Sequence, residues 1–263
     1  MDLGLRGKVA LVAASSKGLG RAVAEELAAE GAHLVMCARG KETLEETAES
    51  IRHRSAVKVV DVAADVSDPK DAARVVKAAF DAFGQVDILV TNSGGPPSGT
   101  FENLTPEMWD TATRLLLKSA VGLTRAVLPG MKERRWGRIL NVTSMAAKQP
   151  IERLMLSNSL RAAVIGFART LANEVAPFNV TVNNLLPGYT RTDRVQELAS
   201  ASGGNAGGSS TDIVSRWEKE IPMGRLGEPR EFGALAAFLA SERASYITGT
   251  SIAVDGGFIR SLL

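Results

Sequence analysis

The segment from Lys8 to Arg39 most strongly constrains how this chain can fold. It contains a short apolar run (KVALVA), a turn of small residues (ASSKGLG), an alanine-rich stretch with apolar residues at helical spacing, and a second apolar run (HLVMC). A strand, a glycine turn, a helix and another strand within about thirty residues predict a right-handed βαβ unit. Gly18 and Gly20 would let the backbone approach a pyrophosphate, which amides at the helix N-terminus can bind. The pattern therefore favours dinucleotide binding, although such turns also serve plain packing.

The rest of the chain repeats this alternation of apolar runs and amphipathic stretches. The predicted strands are Val57–Val62, Val86–Val90, Arg138–Val142, Val180–Leu185 and Ser251–Val254, and the predicted helices are Lys41–Arg54, Pro69–Phe83, Leu154–Val175 and a long one from Pro106 to about Arg134, bent near Gly122. Strands that are continuously apolar are typical of parallel sheets covered on both faces. The sequence therefore predicts an α/β fold, a Rossmann-type doubly wound parallel sheet of about seven strands in a single domain spanning residues 1–263.

One low-complexity stretch, Ala199–Ser210 (ASASGGNAGGSS), interrupts the pattern. Its composition predicts that it buries no apolar surface and is mobile. A linker is one interpretation. Its position after the sixth strand, above the carboxyl ends where ligands bind in such sheets, favours the tip of a flexible lid covering about residues 190–220.

Composition excludes several classes of function. The net charge of +2 gives no reason to expect a nucleic-acid partner or a membrane surface, no apolar run is long enough to span a bilayer, and Met1–Gly7 lacks a signal-peptide core. With Cys37 as the single cysteine and only two histidines, neither an internal disulfide nor a metal site is expected. These features predict a cytoplasmic protein.

A series of short motifs then follows one order along the chain. They are Leu5–Ala10 (LRGKVA), Gly18-Leu19-Gly20, Asp65-Val66, Asn92-Ser93-Gly94, Pro187-Gly188 with Thr190 and Thr192, Met223-Gly224-Arg225, Ile247-Thr248-Gly249 and Asp255-Gly256-Gly257. In this order they resemble the motifs of the short-chain dehydrogenase/reductase family over essentially the whole chain, and within it the 3-oxoacyl-[acyl-carrier-protein] reductases. One departure is Ala14, which stands where the first glycine of the family's turn belongs.

The resemblance implies a cofactor site for a dinucleotide and a small-molecule substrate. Its expected residues are Ser16, Lys17, Gly18, Leu19, Gly20, Arg39, Asp65, Val66, Asn92, Ser93, Gly94, Pro187, Gly188, Thr190 and Thr192. An NAD site needs an acid after the second strand, but Cys37-Ala38 supplies none. Lys17 and Arg39 can instead clamp a 2′-phosphate, so NADP(H) is predicted and NAD(H) is disfavoured.

The catalytic positions depart further from the family pattern. The family uses a serine after the fifth strand, a tyrosine thirteen residues later, a lysine four residues after that, and an asparagine in the long helix. Ser144 fills the serine position, and the match at Gly166-Phe167 places Ser157 at the tyrosine and Arg161 at the lysine. The asparagine position holds Leu116. The candidate catalytic residues are therefore Ser144, Ser157 and Arg161.

No other register restores the motif. Neither of the two tyrosines, Tyr189 and Tyr246, has a lysine four residues later. Tyr189 is expected to form a pocket wall rather than act as a substitute acid. Arg161 stays protonated and cannot relay a proton, although its fork can hold ribose hydroxyls.

Three functions stay open on the sequence alone. The first is an NADP(H)-dependent oxidoreductase acting on a carbonyl or hydroxyl substrate such as a 3-oxoacyl thioester, with altered proton delivery. The second is a non-catalytic nucleotide-binding sensor or partner subunit. The third, ranked last, is a lyase resembling halohydrin dehalogenases. Those enzymes keep the tyrosine and lose the glycine loop, which is the reverse of the pattern in this chain. The resemblance also implies a homotetramer or homodimer built through the apolar helices Pro106–Arg134 and Leu154–Val175.

Overall fold

The structure, a computed structural model, describes residues 2–206 and 209–262, without the side chains of residues 203–206. Its seven strands form one parallel sheet in the order β3-β2-β1-β4-β5-β6-β7. The strands are β1 Val9–Ala13, β2 His33–Ala38, β3 Val59–Ala63, β4 Ile88–Thr91, β5 Gly137–Val142, β6 Val180–Pro187 and β7 Ser251–Val254. The predicted doubly wound sheet is confirmed.

Helices cover both faces of this sheet. They are α1 Gly18–Ala29, α2 Lys41–Arg54, α3 Pro69–Phe83, α4 Pro106–Thr113, α5 Ser119–Glu133, α6 Met155–Val175, α7 Asp193–Ala206, α8 Ser210–Glu220 and α9 Pro229–Ala240. One face is packed by α1, α2 and α9, and the other by α3, α5 and α6. Strands β1 and β5 are therefore buried along their whole length, which explains why β1 is continuously apolar rather than alternating.

The long helix predicted from Pro106 to Arg134 is interrupted, but not at Gly122. Residues Arg114–Lys118 form a π-helical turn between α4 and α5. This turn brings Leu116 into an apolar cluster with Leu156 and Leu160 of α6. Tertiary packing, rather than the flexibility of Gly122, therefore sets the position of the irregularity.

The low-complexity stretch is more ordered than its composition suggests. It is helical through Ala206, and Ala199 is fully buried in a cluster with Val195, Ile213 and Trp217. The prediction that the stretch buries no apolar surface is wrong at Ala199, because Val195 and Ala199 lie four residues apart on one helix face. Residues 207 and 208 lie outside the described residues, and the mobility of a lid stays a prediction. In the described ranges, no helix is long and apolar enough to cross a membrane.

Candidate active site

The turn between β1 and α1 has the geometry of a close backbone approach. Gly18 adopts φ +58°, and Ala14 adopts the left-handed φ of +50° that a non-glycine residue disfavours. A Cβ added at Gly20 would overlap the carbonyl oxygen of Ala14, so this position requires glycine. Lys17 precedes α1 and provides no side-chain cap. The first amides of α1 are thus left for a ligand at the positive end of the helix.

Neighbouring elements hold this turn in place. The Thr47 hydroxyl of α2 donates to the Ser16 carbonyl at 2.8 Å, and the Ser15 hydroxyl donates to the Val12 carbonyl at 2.9 Å. From the loop after β4, Asn92 Nδ2 donates to the Ala14 carbonyl at 3.4 Å. The glycine turn and the Asn92-Ser93-Gly94 segment therefore lie side by side, as the sequence predicted for these cofactor-site residues.

The loop after β6 lies against the glycine turn from another side. Gly188 packs against Asp255, since a Cβ there would lie 2.6 Å from the Asp255 Cα. Thr190 is buried and forms an isolated bridge with Gly227. A Cβ at Gly18 would lie 3.4 Å from Thr192 Cγ2, so this loop reaches the glycine turn directly.

The two basic residues predicted to clamp a 2′-phosphate have different surroundings. Lys17 Nζ forms an ion pair with Asp193 at 2.8 Å, at the start of α7. Arg39 is exposed after β2, and its Nη2 lies 3.8 Å from the position of a Cβ added at Gly94. Arg39 is therefore free to meet a phosphate, whereas for Lys17 a phosphate must compete with the Asp193 carboxylate.

The predicted adenine-contact pair lies at the end of β3. Val66 is buried, and the Asp65 carboxylate accepts hydrogen bonds from the amide and the hydroxyl of Ser67. These two bonds fix the orientation of the carboxylate.

Ser144 follows β5 at the edge of the sheet where the cofactor-site loops lie. Its Oγ accepts a hydrogen bond from the Ala146 amide at 3.1 Å and caps a short 3₁₀ turn, Met145–Ala147, that packs on α6. Because the hydroxyl accepts this bond, its own hydrogen is left to donate to another group.

Ser157 and Arg161 lie one turn apart on the inner face of α6. Ser157 is only 8% exposed, and its hydroxyl has no hydrogen-bond partner among the residues that the structure describes. Arg161 Nη1 donates to the Val142 carbonyl at 3.0 Å and the Thr143 carbonyl at 2.8 Å. The structure thus brings Arg161 to the end of β5, next to Ser144, with Ser157 one turn earlier on the buried face of α6.

Arg161 is a charged group in a poorly solvated place. Burial and, to a smaller extent, the positive charge of Arg194 together lower the pKa of its guanidinium to about 10. Within residues 2–206 and 209–262, no carboxylate forms an ion pair with Arg161. The group therefore offers an unneutralised positive charge to the cleft.

A small cavity adjoins this charge. It is lined by Thr91, Asn92, Ser93, Leu116, Ser119, Ala120, Val142, Thr143, Arg161 and Val164. Leu116, at the family's asparagine position, presents an isobutyl group here and no hydrogen-bonding group. The cavity therefore meets neutral side chains from the π-helical turn and α5 and a positive charge from α6.

Tyr189 is packed among aromatic side chains. Its ring stacks on Trp217 at a centroid distance of 4.2 Å and meets the edge of Phe258 at 5.4 Å. Burial, with a smaller effect from the Glu220 carboxylate, raises the pKa of its phenol to about 12. The Tyr189 hydroxyl is therefore a weaker acid than that of an ordinary tyrosine, and its role as a pocket wall stays a prediction.

Sequence analysis missed two features of the site. Beneath it, a buried row of side chains crosses four strands: Thr91 donates to Asn141 at 2.7 Å, Asn141 to Asn184 at 3.2 Å, and Asn184 to Ser251 at 3.1 Å. The second is Arg194, which lies against Gly95 of the β4 loop. Polar residues inside otherwise apolar strands could have signalled the row, but no local pattern signalled Arg194.

Comparison with known proteins agrees with this geometry. A family model described as Enoyl-(Acyl carrier protein) reductase matches residues 13–259. The 3-oxoacyl-[acyl-carrier-protein] reductase FabG of Vibrio cholerae is 37% identical, with 97% of this chain and 98% of that protein covered. Dehydrogenase/reductase SDR family member 4 of Sus scrofa is 36% identical, covering 96% of this chain and 88% of that protein.

A solved structure shows the same fold. The L-sorbose reductase of Gluconobacter frateurii, complexed with NADPH and L-sorbose, superposes with a TM-score of 0.94 at 37% identity, with all of both chains covered. Similarity of this extent in sequence and structure establishes the family. The chain belongs to the short-chain dehydrogenase/reductase family.

Proposed function

We propose that this protein is an NADP(H)-dependent reductase of carbonyl compounds with an atypical catalytic site. The observation that carries the proposal is the meeting of two features at one edge of the sheet. The uncapped glycine turn before α1 lies on one side, and Ser144, Ser157 and Arg161 lie together at the end of β5. The 3-oxoacyl thioester predicted as an example of the substrate stays a prediction within this class.

The residues present fit a bound dinucleotide. A Cβ at Gly20 would overlap the Ala14 carbonyl oxygen. Glycine at this position therefore allows the tight turn that brings the backbone amides together at the start of α1. Exposed Arg39 stands at the position that selects for the 2′-phosphate of NADP. The NADPH held by the L-sorbose reductase supports this choice of cofactor.

The nicotinamide, when bound, supplies a hydride to the carbonyl carbon. Ser144 binds the substrate by donating its free hydroxyl hydrogen to the carbonyl oxygen, on which negative charge develops. Leu116 and Val164 exclude bulk water from one side of the site. This exclusion strengthens the hydrogen bond from Ser144.

Proton delivery differs from that of the family. Serine is shorter than tyrosine and a far weaker acid, so Ser157 cannot itself replace a phenol with a pKa of about 10. Instead, the unpartnered Ser157 Oγ holds a water that gives a proton to the substrate oxygen and is itself reprotonated from solvent. Arg161 is fixed to the Val142 and Thr143 carbonyls and orients ligands without exchanging a proton.

The test is NADPH oxidation by the full chain with a panel of ketones. Ser144→Ala should reduce turnover by about a hundredfold, because one oriented donor to a developing oxyanion contributes ~3 kcal/mol. The double change Ser157→Tyr with Arg161→Lys should raise turnover above that of the parent protein by restoring the phenol and its lysine. Ser159, exposed on the same helix, provides the matched controls Ser159→Ala and Ser159→Tyr, which should change little.

The opposite outcome would favour the non-catalytic hypothesis. If Ser144→Ala leaves turnover unchanged and the double change produces no gain, the pocket is not arranged for carbonyl chemistry. Tight binding of NADPH in the same samples would then favour a nucleotide-binding sensor or partner subunit.

A further inference from the structure

Two consecutive glycines after β4 each face a guanidinium group. Arg39 Nη2 lies 3.8 Å from the position of a Cβ at Gly94, and Arg194 Nε and Nη2 lie 2.6 Å from that of a Cβ at Gly95. Any side chain at Gly95 would displace Arg194. Arg194 is held there by donation from Nη2 to the Pro96 carbonyl at 3.0 Å. The loop therefore brings the start of α7 over the cleft with its positive charge inward.

Arg161 approaches the same cleft from α6. Its Nη1 is occupied by two backbone carbonyls, but its Nε and Nη2 donate to no group among the described residues. These two nitrogens form one edge of the guanidinium, the edge that matches the two oxygens of a carboxylate. Arg161 is thus oriented at one side and open at the other.

The charges in this part of the cleft are not balanced by the protein. Arg194 has only a long contact of 3.4 Å with the exposed Glu197 carboxylate, and Arg161 has no ion pair within the described part of the chain. Withdrawing a cation from water is costly unless an anion accompanies it. Arg161 is in this state, whereas the Arg194 side chain keeps part of its surface in solvent and adds its positive charge to that of Arg161. The buried guanidinium of Arg161 is therefore suited to an anionic ligand.

We propose that Arg161 and Arg194 bind a carboxylate of the substrate, so that the carbonyl compound is an oxo acid and its reduced form a hydroxy acid. This inference rests on the proposed function. The cofactor's phosphates belong to the glycine turn and Arg39. Arg161, by contrast, lies beside Ser144, where the reacting carbonyl is bound.

The lining of the cavity beside Arg161 carries no competing charge. It is formed by Leu116, Ala120, Val142 and Val164 and by the neutral polar residues Thr91, Asn92, Ser93, Ser119 and Thr143. None of these side chains has a negative charge that would compete with a carboxylate for the guanidinium. The apolar part of the lining weakens hydration of an ion pair formed there and so strengthens it.

The experiment compares acids with their uncharged esters. Pyruvate, acetoacetate and levulinate, each paired with its methyl ester, are titrated by calorimetry into the full chain saturated with NADP⁺, and the same pairs are assayed for NADPH oxidation. At least one acid should bind about tenfold or more tightly than its ester, the preference expected of a charge-assisted bidentate pair. Arg161→Gln should remove this preference, Arg161→Lys should restore part of it, and Arg194→Gln should weaken it.

Arg191→Gln provides the matched control. Arg191 lies three residues before Arg194, in the loop that leads into α7, but its guanidinium is already paired with Glu218 at 3.2 Å and Glu228 at 3.1 Å. Its removal should leave the preference for the acid unchanged. Thermal unfolding of each variant verifies that it is folded, and Arg194→Gln keeps the test available if Arg161→Gln does not fold.

The outcomes separate this inference from the proposed function. Equal binding of every acid and its ester, or a preference that survives Arg161→Gln, overturns the carboxylate site even if ketones are reduced. Arg161-dependent binding of an acid without any turnover supports the site and refutes the reductase. If Arg161→Gln weakens only NADP⁺ binding, measured separately, Arg161 serves the cofactor and the inference is wrong.

Discussion

Replacing Ala14 with glycine tests how the cofactor turn is built. Ala14 adopts φ +50°, a conformation that its methyl group disfavours, and its carbonyl both faces Gly20 and accepts the Asn92 bond. Because these contacts hold the backbone in place, the strain stays in the native protein. Ala14→Gly removes the strain without altering any of the hydrogen bonds.

The expected gain follows from two opposing contributions. A left-handed φ costs an L-residue ~1–2 kcal/mol, whereas the greater freedom of glycine in the unfolded chain costs roughly 0.5–1 kcal/mol. The net increase in the free energy of unfolding is about 1 kcal/mol. With an unfolding entropy of about 2.1 cal/mol/K per residue, a chain of 263 residues should show a Tm higher by about 2 °C.

Calorimetric or urea unfolding measures this gain, and NADPH titration accompanies it. Strain that is the same in the free and bound protein cancels in the binding equilibrium, so we expect the affinity for NADPH to change by less than about threefold. Arg135→Gly is the matched control, since Arg135 adopts φ +51° just before β5, at the sheet edge opposite the cleft. Arg135→Gly should also stabilise the protein, but by a smaller amount, because it removes the exposed hydrogen bond from Arg135 Nη2 to the Pro177 carbonyl.

The result that would refute this reasoning is an unchanged or lower Tm for Ala14→Gly with a higher one for Arg135→Gly. The alanine methyl would then contribute packing that outweighs its backbone strain. A large gain in NADPH affinity would refute the second part, because it would show that the methyl group obstructs the cofactor.

Three other predictions address the cofactor, acid stability and assembly. Arg39→Ala should weaken NADPH binding by about tenfold and leave NADH binding unchanged in calorimetry, and an equal loss for both would remove Arg39 from the 2′-phosphate site. Hydrogen bonds from the Arg225 side chain and the Glu228 amide lower the pKa of Glu231 from 4.5 to about 2. The ionised Glu231 carboxylate therefore stabilises the folded protein at neutral pH, and this stabilisation is lost as the pH falls from about 4.5 to about 2. The stability difference between parent and Glu231→Gln should shrink over that range in urea titrations, and a constant difference would contradict the assignment. Light scattering should give the mass of a dimer or tetramer, because Leu117, Val121 and Phe167 are only partly buried in the single chain. The mass of a monomer at micromolar concentration would count against this assembly.

The parts of the fold that were predictable are those determined by local pattern. The apolar runs located all seven strands to within about two residues, and Asp68 and Thr105 each precede a proline at the start of the helix they cap. The match at Gly166-Phe167 predicts Ser157 and Arg161 one turn apart on a helix, and both residues lie on α6; their catalytic role stays a prediction. These features depend on neighbours in sequence, which a single sequence displays.

Contacts between distant residues could not be predicted in the same way. Lys17 and Asp193 are 176 residues apart in sequence, and nothing near Lys17 indicates that a carboxylate will meet it. Arg194 lies on Gly95 only because the loop after β6 folds back over the loop after β4. The π-helical turn at Arg114–Lys118 likewise depends on the packing of Leu116 against α6.

The two substitutions on α6 make sense together rather than separately. In the alignment that the sequence predicts, serine in place of tyrosine removes an acid, while arginine in place of lysine keeps a positive charge at the same turn of the helix. The Arg161 guanidinium that carries this charge donates to the Val142 and Thr143 carbonyls, and its other edge is directed away from them. A lysine ammonium has no second edge to offer once it is bound in this way, but a guanidinium does. Under the proposed function, the substitutions therefore replace a proton-transferring pair with a fixed cation that orients a ligand by its charge.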